Sequence, residues 1–176
     1  FFFFFFIFPF FFSFVDATGA SVTTNCIELN TGIINWDEEW YVATGTLDYG
    51  TGGITVSGDV KLVLADDASL TVEGAFDKAG IRLATGNALT IYGQSAGAGV
   101  LTATGNNNAA GIGGEKNESC GTVTINGGTI IAAGGSGYVY GAGIGGGYQG
   151  TAVINIYGGD ITATGGNGSP GIGNGA

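Results

Sequence analysis

Leu89-Thr-Ile-Tyr-Gly93, Val123-Thr-Ile-Asn-Gly127 and Ile154-Asn-Ile-Tyr-Gly158 are three versions of one phrase, with starts 34 and 31 positions apart. A second phrase follows each of them: Leu101-Thr-Ala-Thr-Gly105, Ile130-Ile-Ala-Ala-Gly134 and Ile161-Thr-Ala-Thr-Gly165. A third closes the unit: Ala110-Gly-Ile-Gly-Gly114, Ala142-Gly-Ile-Gly-Gly146 and Pro170-Gly-Ile-Gly-Asn174. Three landmarks that drift around one period of about thirty residues mark a repeat architecture.

Within each repeat, apolar residues at i and i+2 turn one face of a strand inward. Gly-Gly pairs supply the positive φ that sharp corners need. Two alternating strands, a short Gly-Ile-Gly side and glycine corners make one three-sided coil. Stacked coils pair as parallel strands about 4.8 Å apart. The expected fold is therefore all-β, a right-handed parallel β-helix (β-solenoid) with coils of about thirty residues. Ile112, Ile144 and Ile172 are expected to stack as an inward ladder.

Upstream, Ile54-Thr-Val-Ser-Gly58, Val60-Lys-Leu-Val-Leu64, Leu70-Thr-Val-Glu-Gly74 and Ile81-Arg-Leu-Ala-Thr85 alternate in the same way, with shorter connections. Residues 51–176 are assigned to the glycine-rich solenoid, truncated at its C-terminal end. Residues 18–50, with Trp36-Asp-Glu-Glu-Trp40, are assigned to an N-terminal cap and first coil, because an open end would bare the core. Residues 1–15 read FFFFFFIFPFFFSFV, and Asp16-Ala17 follows. Val15 and Ala17 suit the −3 and −1 positions of a signal-peptide cleavage site, so residues 1–17 read as a secretory leader. That segment is short for a spanning helix. It is expected to stand apart from the core, and to be the chain's only link to a membrane. An uncleaved anchor is the competing reading.

Glycine contributes 37 of 176 residues, about three times its usual share. Without a Gly every third residue, collagen is excluded. Fourteen acidic residues stand against four basic ones. Phosphate neutralisation needs a cationic surface, so nucleic acid is excluded as a partner. There is no His, the commonest general acid/base and metal ligand. Cys26 and Cys120 form either one disulfide or two separately buried thiols. These features point outside the cell, to a secreted or cell-surface protein.

The run from Ile54-Thr-Val-Ser-Gly-Asp-Val to Leu89-Thr-Ile-Tyr-Gly-Gln94, with the later Ala-Gly-Ile-Gly-Gly and Thr-Ile-Asn-Gly-Gly-Thr segments, resembles the glycine-rich repeat region of large surface proteins of gut bacteria. It is similar in style to parallel β-helix carbohydrate-binding domains of cellulose-degrading clostridia. The resemblance covers about residues 45–176 and implies a β-helix and carbohydrate binding. No functional residue of those families maps onto a position here.

Several constellations bear on function. Gly141-Ala-Gly143-Ile-Gly-Gly146 fits a dinucleotide fingerprint, but no helix follows it and the pattern recurs with the repeat. Lyases and hydrolases of β-helix form need clustered carboxylates. Residues 84–176 hold only Glu115, Glu118 and Asp160 as acids, and no wall is expected to gather a catalytic pair. The expectation is a protein that is not an enzyme. Asp66-Asp67, at a strand end, is the candidate calcium site; no other cofactor is implied. Tyr92, Asn126 and Tyr157 share the outward fourth position of the first phrase. Sugar C–H faces stack on aromatic rings, so this column reads as a glycan-binding face, against plain ladder stacking. Trp36 and Trp40, flanking three acids, read as a second sugar platform or as a cap over the core. The paired threonines Thr102/Thr104 and Thr162/Thr164 would suit ice binding, but Ile131 and Ala133 break the array. The leading expectation is a non-catalytic module that binds polysaccharide or a host or cell-surface glycan, or mediates adhesion. The alternative is a structural stalk within a larger surface protein.

Overall fold

The computed structural model describes residues 10–15, 18–137 and 140–176. Among them the protein is all-β, with eighteen strands, one 3-10 turn at Gly50–Gly52 and no α-helix. The first sheet holds β1 (Phe10–Val15), β2 (Ser21–Glu28), β4 (Trp40–Ala43), β7 (Asp59–Leu64), β10 (Ala88–Gly93), β13 (Thr122–Ile125) and β16 (Val153–Ile156). The second holds β5 (Thr46–Asp48), β8 (Ser69–Glu73), β11 (Val100–Thr104), β14 (Thr129–Ala133) and β17 (Asp160–Thr164). The third holds β3 (Asn35–Trp36), β6 (Ile54–Val56), β9 (Ile81–Leu83), β12 (Ile112–Gly113), β15 (Ile144–Gly145) and β18 (Ile172–Gly173). From β4 onward the chain visits first, second and third sheet in rotation. Every strand pairing except that of β1 with β2 is parallel.

The three phrases fall in these three sheets in register. Val60, Leu89, Val123 and Ile154 are successive partners on the inner side of the first sheet. Leu47, Leu70, Leu101, Ile130 and Ile161 do the same in the second. In the third, Ile54, Ile81, Ile112, Ile144 and Ile172 make one unbroken column. Stacked β-branched side chains fill the pleat and pack against identical neighbours, so the column sets the register as well as the core. Side chains from all three sheets meet in one buried cluster. Towards β18 the same inward positions open, and Ile172 is 41 % exposed.

The glycines mark where strands approach most closely. Gly113 and Gly145 share φ of +141°, and a Cβ on either would overlap the carbonyl of the next strand in the column.

The cysteines belong to different clusters and are both free. Burial pushes the Cys26 thiol up to about 11. Burial, and then the charge of Glu118, push Cys120 to about 12. Both are protonated at neutral pH.

One expectation is corrected here. Residues 10–15 do not stand apart, because β1 pairs antiparallel with β2 along its whole length. The leader reading also covers residues 1–9 and 16–17, including the cleavage position, which lie outside the described residues. No helix among the described residues is long and apolar enough to cross a membrane.

Candidate ligand-binding face

Two columns cross the outer side of the first sheet. Trp40, Lys61, Thr90, Thr124 and Asn155 are successive partners in one. Val42, Val63 and Tyr92 are partners in the other. Backbone bonds from Asn126 to Ile91 and from Tyr157 to Ile125 carry the second column on through those two residues. The structure thus brings Tyr92, Asn126 and Tyr157 into one outward line. Tyr157 is 69 % exposed. The Asn126 side-chain oxygen is buried and has no hydrogen-bond partner among the described residues. Such a group costs about 1–3 kcal/mol.

Tyr92 has a different setting. β2 pairs with β4 only at Ile27 and Glu28. The earlier part of β2 leaves the sheet and carries β1 across its outer side. Phe14 then lies with its ring centroid 4.6 Å from Tyr92 and 5.2 Å from Trp40. Trp40 and Tyr92 stack at 5.7 Å, and the Lys61 ammonium sits 5.5 Å from the Trp40 ring centre. Phe14, Cys26, Val42 and Val63 form a second, smaller buried cluster outside the sheet.

The two tryptophans part company. Trp36, on β3, is fully buried, stacks on Tyr41 at 5.8 Å and donates its indole N–H to the Ile33 carbonyl. It is a core residue and presents no face to a sugar. Trp40 is half-buried and lines an open cleft of about 460 Å³ with Thr24, Asn25, Ile27, Glu38 and Glu39. An aromatic wall beside carboxylates and an amide is the chemistry that sugar hydroxyls and C–H faces match.

Asp66 and Asp67 accept hydrogen bonds from different neighbours. Asp66 accepts the backbone N–H groups of Ala96 and Ala98, at 3.1 and 3.4 Å. Asp67 accepts that of Gly45, on the other side, at 3.3 Å. Among the described residues no group of three or more His, Cys, Asp or Glu gathers as a metal site.

The third sheet brings two carboxylates together, each paired with a cation. Arg82 of β9 lies beside Gly113 of β12, and the loop after β12 brings in Glu115 and Glu118. Arg82 donates to both Glu118 oxygens, at 3.0 and 2.6 Å, and Lys78 donates to Glu115 at 2.8 Å. Lys78, Arg82 and Glu115 border a groove of about 290 Å³ with Gly52, Gly53 and Thr55. The separations of 36 and 37 residues exceed the 31-residue step between the Ile81 and Ile112 partners, so the repeat register does not reveal these pairs. Partial burial acts to raise the Glu118 carboxyl, but hydrogen bonds from Arg82 and the Glu115 N–H, with the Arg82 and Lys78 charges, hold it below the usual glutamate value. A lowered folded value contributes stability that is present above the ordinary pKa and lost as pH falls through the folded one. Glu118→Gln is therefore expected to cost about 1 kcal/mol near pH 7. Its melting temperature should converge on the parent's only as pH falls through the lowered Glu118 value, below the ordinary glutamate range. A gap that stays constant from pH 7 to pH 3 would contradict this account.

Comparison with known proteins returns no matching family model, no matching curated protein and no matching solved structure.

Proposed function

We propose that the chain is a non-catalytic binding module. On this reading it is a right-handed, three-sided parallel β-helix with coils of about thirty residues, secreted or held at a cell surface, whose first-sheet face takes a polysaccharide. The observation that supports it is the pairing of an exposed Tyr157 ring with the partnerless Asn126 amide oxygen. Stacking and a hydroxyl acceptor are the two things a shallow sugar site needs. Thr124 and Asn155 flank them in the neighbouring column. The resemblance to gut-bacterial surface repeats points the same way. With a net charge of −10, the module suits neutral rather than acidic glycans.

The test is retention on a panel of immobilised neutral polysaccharides. The Tyr157→Ala/Asn126→Ala variant is expected to lose about tenfold in affinity, the order of one stacking contact plus one hydrogen bond. Equal retention of variant and parent removes this site.

A stalk role has its own support. The five-isoleucine column and its flanking ladders form a continuous spine through the third sheet. A parent chain that binds no glycan while staying folded would favour that role.

A further inference from the structure

We infer that β1 is an internal cover for the glycan face, so that Phe14 and a sugar are alternative occupants of the Trp40–Tyr92 platform. This rests on the polysaccharide reading above. Phe14 occupies the space over both rings: its centroid is 4.6 Å from Tyr92 and 5.2 Å from Trp40, tilted 50° and 38° to them, and it is almost wholly buried. Beneath it Val42 and Val63, outward-facing positions, are also sealed from water. An outward apolar column on a sheet needs a cover, and here the cover is the chain's own N-terminal strand.

The cover is built to be separable. Among the described residues β1 is paired on one edge only, with β2, while its Phe12 packs against the main core. β2 in turn is paired with the stacked strands at just two residues, Ile27 and Glu28. A strand held through so short a hinge belongs to the low-stability end of a fold, where local opening precedes global unfolding. The Ser13–Thr23 hydroxyl pair ties β1 to its own hairpin, not to the platform. The cover also fits the face incompletely. The neighbouring Asn126 oxygen stays without a partner while Phe14 is in place, and a phenyl ring has no donor to offer it.

The sequence adds a means of release. Residues 1–17 carry the pattern of a removable leader, and cutting after Ala17 would take β1 away. Export and exposure of the binding face would then be one event. Apparent affinity falls by the fraction of molecules that are uncovered, so losing the cover raises it without any new contact.

The experiment compares the full chain, a chain beginning at Thr18 and the full-length Phe14→Ser variant. Each is tested for retention on β-glucan, xylan, galactomannan and mucin glycans, with acrylamide quenching of tryptophan fluorescence alongside. Circular dichroism and a cooperative melt establish folding. Both altered chains are expected to bind at least about tenfold more tightly than the full chain. Quenching should rise as Trp40 is uncovered. Equal binding by all three overturns the cover and leaves the glycan reading standing. Tighter binding by the full chain overturns it too. Absence of binding by all three, while folded, overturns the glycan reading and the cover with it. Should the shortened chain not fold, the Phe14→Ser variant decides the matter alone.

Discussion

Gly113→Ala is expected to lower the melting temperature by roughly 10 °C or more, or to abolish cooperative folding. Two costs combine. An L side chain at φ of +141° carries backbone strain of about 1–3 kcal/mol. The added Cβ would also overlap the Gly145 carbonyl and come within 3.1 Å of the Cys120 sulfur. The carbonyl belongs to the neighbouring strand, so relief requires two strands to separate. That disturbs the isoleucine column directly beside it. Together the terms exceed about 4 kcal/mol, a large part of the 5–15 kcal/mol a domain typically has. Gly52→Ala is the control. A Cβ there meets nothing within 4 Å, and the melt should hardly move. A Gly113→Ala protein that melts within 2–3 °C of its parent, about 1 kcal/mol, would show that the strands are not packed this closely.

Trp36→Ala is expected to cost about 3–5 kcal/mol, the range for removing a large buried aromatic. Trp36 has no exposed surface, and its neighbours Tyr41 and Ile33 are held in place by the surrounding strands. The resulting cavity would collapse only in part. Trp40→Ala separates the two roles. It should destabilise less, since Trp40 is only half-buried, yet weaken glycan retention more. Chemical denaturation of both variants, paired with the polysaccharide assay, checks this. Equal stability losses would mean that Trp40 is a core residue as well.

Much of the architecture was legible because it repeats. The positions of Ile112, Ile144 and Ile172 in their phrases were enough to expect an inward column, and their pairing is as expected. The column extends back to Ile54 and Ile81, which the shorter upstream connections disguise. The outward line of Tyr92, Asn126 and Tyr157 follows from strand parity alone. What parity cannot reveal is a cover from elsewhere in the chain. A run of phenylalanines reads as a leader by composition, and nothing in its spacing says that Phe14 meets Tyr92. Trp36 and Trp40 are four residues apart and look equivalent in the sequence. They diverge because one lies on β3 of the third sheet, facing in, and the other on β4 of the first, facing out. Arg82 and Glu118 were hidden differently. Their contact joins a strand to a loop in the following repeat, and loop length does not predict where a carboxylate lands.

The rotation of the chain through three parallel sheets has one more consequence. From β4 onward, each strand pairs only with the strand one visit earlier and the strand one visit later. Among the described residues no strand pairing skips a visit. A whole unit could therefore be copied into the chain, or dropped from its middle, without breaking any pairing outside the junction. Length is thus a free variable for such a molecule. A lineage could change the number of units by duplication, leaving the strands before β4 unchanged.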